Sequence, residues 1–261
     1  MAIFKRREKP VEEPKPYWQQ RSWRMSAGFL GIVVVAGAAT ALTSGGDTVK
    51  SADDSRPQES AAVAKGPLSG PLVDNGRPRD CHTDDSGGST VPKSAPKDVV
   101  WRSLGAAQVP VSSSAGPKQR EGTPWWCFAH TPMGAVEAAV IIPSQASGSG
   151  WRQVSREQLV AGSGRDQFEK DREYESDIDG PDDVDAGSLG YYAGFAVLSY
   201  QDEAATVKLL IKSDVGGLTG TTTVHLRWDR GDWKVQPSGG GELFSAIDYT
   251  ANTNGFIMWG D

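Results

Sequence analysis

The chain is 261 residues long, with 27 basic and 33 acidic side chains, a net charge of −6 and a mean hydropathy of −0.43. Seven of the basic and three of the acidic side chains fall in residues 1–24, which leaves 20 basic against 30 acidic, a net of −10, for the rest. So acidic a surface argues against nucleic acid as a direct partner.

Residues 1–24 form a basic, proline-punctuated tail that includes Lys5, Arg6, Arg7, Arg21 and Arg24. Met25 to Thr43 then carries no charge over nineteen residues. As an α-helix that stretch rises roughly 28 Å, close to the hydrocarbon thickness of a bilayer. It predicts one membrane-spanning helix over 25–43, with a buried core helix or a cleaved signal peptide as the alternatives. The basic flank orients it: the tail is cytoplasmic, and everything after Ser44 lies outside the cell membrane. Residues 44–80 are rich in Gly, Pro, Ser and Asp without apolar periodicity, which reads as a flexible linker.

An extended, loop-rich segment follows over 81–124, with Asp98–Trp101 as a short anchoring stretch and a proline-rich loop at 110–124. The only two cysteines, Cys81 and Cys127, lie on the outer side. An even count in an oxidising compartment favours a disulfide between them. A zinc site that adds His82 and His130, or two free thiols, are the other possibilities; the spacings match no standard zinc pattern.

Residues 125–261 read as the folded outer domain. Thr131-Pro132 opens a helix, with Thr as the cap and Pro where the missing N–H costs nothing. Ala135 to Ile142 makes that helix apolar on most sides, so other elements must cover it, and Pro143 is expected to end it. A second helix is predicted from Ser155, with Gln158 completing a capping box, and a third over Arg165–Tyr174. Beyond an acidic loop at 175–190, Tyr191–Tyr200 and Ala204–Ser213 form one hairpin. Thr221–Asp229 and Trp233–Gln236 form another, turning at Arg230-Gly231-Asp232. Within it Thr222, Val224, Leu226 and Trp228 alternate with Thr223, His225 and Arg227, the period of a half-buried strand. The tail, 239–261, is expected to pack back on the domain. Helices first and an antiparallel sheet second is an α+β order.

No glycine-rich phosphate loop, nucleophile elbow or metalloprotease motif occurs, so no catalytic residue, cofactor or metal is assigned. Gly148-Ser149-Gly150 and Gly162-Ser163-Gly164 read as loops. The eight acids between Asp171 and Asp185 have calcium ligands' chemistry but not their spacing, and read as a solvated loop. His225, beside Arg227 and Asp229, is a candidate general base in a cavity, or else a sheet-surface histidine. Trp125-Trp126 forms either an aromatic binding ledge or packing against the cysteines.

A basic tail, one span, a linker, the helix opening Thr131-Pro132-x-Gly134-Ala135 and hairpins ending in Leu226-Arg-Trp-Asp-Arg-Gly-Asp-Trp-Lys-Val235 resemble membrane proteins of actinobacterial conjugative elements. The resemblance extends to the TcpC-like transfer proteins and the bitopic scaffold subunits of type IV secretion. It implies that the outer domain, over roughly 125–236, is a nuclear transport factor 2-like cone, with helices packed on a curved antiparallel sheet. It further implies a non-enzymatic scaffold whose partners are other membrane subunits of a transfer complex and further copies of itself. A cell-envelope module holding a small ligand or glycan in the cone cavity is the alternative, and a cone-fold enzyme a lesser one.

Overall fold

The computed structural model describes residues 66–73, 76–104, 107–179, 191–212 and 218–260. The basic tail, the expected span at 25–43 and the linker as far as 65 lie outside the described residues. Among the described residues no helix is long and apolar enough to cross a membrane.

The fold is organised around one helix, α1 (Pro132–Ala146). Its start follows the capping chemistry: Thr131 is extended, its hydroxyl accepts the Gly134 N–H at 3.2 Å, and Pro132 takes the first helical position. Every residue from Gly134 to Ala146 is buried. Helix α1 runs through Pro143 rather than stopping there. Pro143 removes one backbone donor in the last turn, the one that would reach Ala139 O, and the next residue, Ser144, adds a hydroxyl bond to Val140 O at 2.7 Å.

Two sheets and two further helices enclose α1. Strands β1 (Val99–Leu104) and β2 (Ala107–Ser112) form an antiparallel hairpin in register Val99↔Ser112 to Leu104↔Ala107. Strand β2 supplies Ala107, Val109 and Val111 to the core. The expected anchor at Asp98–Trp101 is instead part of the outer strand, where Val100 and Trp101 remain 50% and 40% exposed. The second sheet is built from β3 (Tyr191–Gln201), β4 (Ala204–Lys212), β5 (Thr219–Asp229), β6 (Asp232–Val235), β7 (Asp248–Tyr249) and β8 (Ile257–Met258). Its order is β6-β5-β4-β3-β8, with β7 paired to the far end of β5. Along β5, Thr222, Val224 and Leu226 are buried while His225 and Arg227 are exposed, as the alternation requires. The β5–β6 turn is only Arg230-Gly231, with φ of 54° and 78°, the left-handed pair that a tight two-residue hairpin needs.

Helix α2 (Trp151–Gln158) begins four residues before Ser155. Ser155 caps nothing; its hydroxyl donates to Glu169 at 2.7 Å, so it ties α2 to α3 (Ser163–Asp179). After α2 the chain bridges to the sheet, Val160 N–H donating to Val235 O at 2.9 Å, which covers the β6 edge. At the opposite edge β8 returns the C-terminal segment to β3 and buries Trp259 against Phe195.

This architecture overturns the expectation of an α+β nuclear transport factor 2-like cone. Eight strands in two sheets and only three helices make the described domain mostly β. The physical reason lies in α1. A helix layered on a cone presents one face to the sheet, whereas α1 is apolar on most sides and buried throughout, and needs walls on all sides: β2 on one, β3 to β6 on the other, α2 alongside. Among the described residues the space left between helix and sheet is small. The space among Ala139, Pro143, Tyr192, Leu209, Val224 and Leu243 amounts to about 30 Å³, room for little more than a water molecule.

Candidate functional site

Two places concentrate polar chemistry. The first is the junction at which the N-terminal strap, residues 66–85, meets the domain. Residues 66–73 and 76–80, read from sequence as linker, lie against it here. Gly66 N–H and the Ser69 hydroxyl both donate to Glu157 of α2, which closes a single 3-10 turn at Pro67–Ser69. Leu68 enters a small core made with Cys81, Trp126 and Cys127. Cys81 and Cys127 are disulfide-bonded, with Cα atoms 5.4 Å apart, inside the range such a bridge requires.

Arg77 sits at the centre of the junction, 5% exposed. It donates to Phe128 O at 3.0 Å, to Gly231 O at 3.4 Å and to Asp85 at 2.5 Å, and its guanidinium lies over the Trp228 ring at 4.8 Å. Burial pushes Asp85 up, but the His130 N–H and the Arg77 guanidinium outweigh it and hold the carboxyl below its ordinary range. His130 stacks on Trp228 with ring centroids 3.8 Å apart, and meets Trp233 edge-on. Beneath them lies Asp232, fully buried. It accepts the N–H groups of Cys127 at 2.7 Å, Phe128 at 2.9 Å and Trp233 at 3.0 Å. Burial drives its pKa up to about 6 against the pull of those donors and of Arg77. The arrangement is a clamp: one cation and two carboxylates join strap, disulfide loop and β5–β6 turn. Gly231 lets the strap come close, since a Cβ there would stand 2.3 Å from Gly76 O.

The second place lies on the outer face of the large sheet, away from α1. Gln236 N–H donates to His225 O and Ser245 N–H to Thr223 O, so residues two apart on β5 bond residues nine apart on the returning chain. The eight residues between leave the ladder and come back, the geometry of a compact Ω-loop. Leu243 plugs the loop into the core, and the backbone of Phe168 touches Gly241 too closely for any Cβ. Loop and sheet enclose an open groove of about 820 Å³.

The positions singled out in the sequence fall unequally on these places. His225 lies in the groove, but its Nδ1 meets the Thr206 hydroxyl at 3.3 Å, while Asp229 pairs with Lys234 at 3.0 Å. Among the described residues no carboxylate bonds this ring to orient it as a general base. With both sulfurs in the disulfide, no thiolates remain for zinc. His82 is exposed, and no group of three metal-binding side chains occurs among the described residues. Trp126 packs with the disulfide, whereas Trp125 is fixed through its backbone by Gln145 and Gln158. Of the acidic run, Asp171 and Glu173 are exposed on α3, and Asp182, Asp183 and Asp185 lie outside the described residues. Gly150 is the residue before α2, with the Thr123 side chain close to it, while Gly164 lies in the first turn of α3 rather than in a loop, with the Ser238 carbonyl close to it. Arg77, Asp85 and Asp232 were not visible as a site. Arg77 and Asp85 stand in stretches of loop composition, and Asp232 looks like an ordinary turn residue.

A family model described as a domain of unknown function (DUF8175) matches residues 62–258. The chain belongs to this family. Neither a curated protein nor a solved structure matches it. The family domain takes in the strap from before Gly66, the clamp, the groove and β8, so both places are parts of the domain itself.

Proposed function

We propose that this chain is a non-enzymatic, single-pass membrane scaffold with a cytoplasmic N-terminus. Its outer domain holds other membrane subunits, and further copies of itself, in a conjugative, type IV secretion-like transfer apparatus. The observation that carries the reading is the strap. The chain emerging from the linker is fastened to the domain within twenty residues, by the Glu157 bonds, Leu68, the Arg77 clamp and the disulfide. A domain that only needs to float on a tether gains nothing from a rigid, oxidised attachment; one that holds position within an assembly does. The disulfide also suits an extracytoplasmic location, where such bonds persist. The transfer apparatus itself is supported by the layout of tail, span, linker and outer domain, not by the domain's fold.

Deleting the gene from cells that carry the element, and counting transfer to a recipient, tests this. Transfer should fall sharply and return with the full chain, but not with a chain lacking residues 1–43. Unchanged transfer after deletion would remove the proposal.

A further inference from the structure

The outer groove is a second feature, and its chemistry points to a ligand that an anchoring role does not require. The face is made by alternate residues of β4 and β5: Thr206 stands opposite His225, Lys208 opposite Thr223, and Ala204 opposite Arg227. Residues two apart on a strand are about 6.6 Å from one another, and direct cross-strand neighbours about 5 Å. Arg227 and the His225 imidazole therefore stand in the groove within reach of one bound chain, with Lys208 next along the same face, on a protein whose outer part carries net negative charge. Arg227 spends only Nε on the protein, donating to Gln236 at 3.0 Å, and His225 uses only Nδ1 among the described residues. The remaining guanidinium nitrogens are placed to receive an anionic group, and Nε2 donates to it in the tautomer whose Nδ1 accepts the Thr206 hydroxyl.

The other wall is different. Glu242 takes the Ser238 hydroxyl, and that bond holds its carboxyl below the ordinary range, so it is an anion that accepts further hydroxyl donors. Between the walls lie the hydroxyls of Thr206, Thr223 and Ser245 and the amides of Gln201 and Gln236, groups that both donate and accept. A peptide cannot add as a strand here, because Gln236 and Ser245 already occupy the β5 edge. A polyanion charged at every unit would meet Glu242. A chain of hydroxyl-bearing rings with an occasional carboxylate satisfies both walls.

We infer that this groove binds a carboxyl-bearing glycan chain, its carboxylate on Arg227 and His225 and its hydroxyls toward Glu242. The inference stands whether or not the chain serves a transfer apparatus.

The full chain, purified in detergent with its disulfide intact, is titrated calorimetrically with a hyaluronan hexasaccharide. The same hexasaccharide with reduced carboxyls and a poly-glutamate of similar length are the comparisons. The hexasaccharide should bind, and the Arg227→Gln protein should bind it about tenfold more weakly, as the loss of one charge-assisted bond predicts. His225→Gln should weaken it about threefold, the scale of one ordinary hydrogen bond. Both side chains are exposed, so the variants should fold, which circular dichroism checks. Equal binding of the reduced glycan, tighter binding of poly-glutamate, unaltered affinity in Arg227→Gln, or no hexasaccharide binding by the native chain would each overturn the assignment.

Discussion

On the sheet side of α1, strands β4 and β5 bury Val207, Leu209, Val224 and Leu226, every one of them supplied by a repeating in-out pattern. On the strap side, between Gly66 and Thr131, much of the chain has no regular ladder. Its order depends on single residues: Leu68 in its small core, Arg77 among carbonyls and carboxylates, one disulfide, and Asp232 gathering three N–H groups. The sheet can lose one apolar contact and keep its register, because neighbours repeat the instruction. The strap has no such redundancy. The two sides should therefore respond to mutation differently.

The largest effect is expected from removing the disulfide. Its two cysteines are 46 residues apart, and closing a loop of that length is worth roughly 4 kcal/mol in the chain-entropy model. A Cys81→Ser, Cys127→Ser protein should lose about that much in urea unfolding. Limited proteolysis should cut it first between 66 and 85, while the β3–β6 region stays protected. Cleavage appearing in both regions at once would show that strap and sheet are a single cooperative unit.

Next comes Gly134→Ala, which tests the seam between the two sides. A Cβ at Gly134 would stand 2.0 Å from Ala129 O, a backbone atom that cannot swing away. Relief requires moving either the start of α1 or the segment that carries Cys127 and Phe128. Overpacking of this kind costs about 3 kcal/mol. Thermal unfolding within a degree of the native protein would mean that the seam is looser than its contacts imply.

The same contrast explains what could be read from sequence. Strand β5 was legible because Thr222, Val224 and Leu226 alternate with Thr223, His225 and Arg227, and burial follows that period. The start of α1 was legible because Thr131-Pro132 is a local chemical signal. Strand β2 was not, since Pro110 and the neighbouring serines carry the composition of a loop, although Val109 and Val111 point into the core. Leu68 and Arg77 were lost in a stretch of linker composition. One buried leucine and one buried arginine generate no period, and their partners lie as far along the chain as Cys127 and Gly231. The cone expectation failed for a reason present in the sequence: a helix apolar on most sides asks for more covering than one sheet supplies. The groove was invisible apart from His225, because it arises from where the chain leaves β5 and where it returns.

The smallest effect, and the most informative, concerns Glu137. It is fully buried on α1, and neither carboxyl oxygen has a hydrogen-bond partner among the described residues. Burial first, and the negative charge of Asp98 second, raise its pKa well above the ordinary carboxylate range. Asp98 stays ionised beside it because the hydroxyls of Ser113 and Ser112 and the N–H of Ser114 outweigh its own partial burial and bring it down to about 2. A carboxyl whose folded pKa is raised favours the folded state fully at pH values below its unfolded pKa. That contribution fades as pH rises from the unfolded value through the folded one. The native protein should therefore lose stability from about pH 4.5 upward, across a window that ends at the elevated pKa. Glu137→Leu keeps the volume and removes both the charge and the unmet acceptors. It should be more stable by about 1–3 kcal/mol at pH 8, with a smaller advantage at pH 4, measured as melting temperature across the series. If the leucine protein is instead less stable at every pH, the carboxyl is being satisfied by an internal water or a ligand. Its burial would then be a binding feature rather than a cost to the fold.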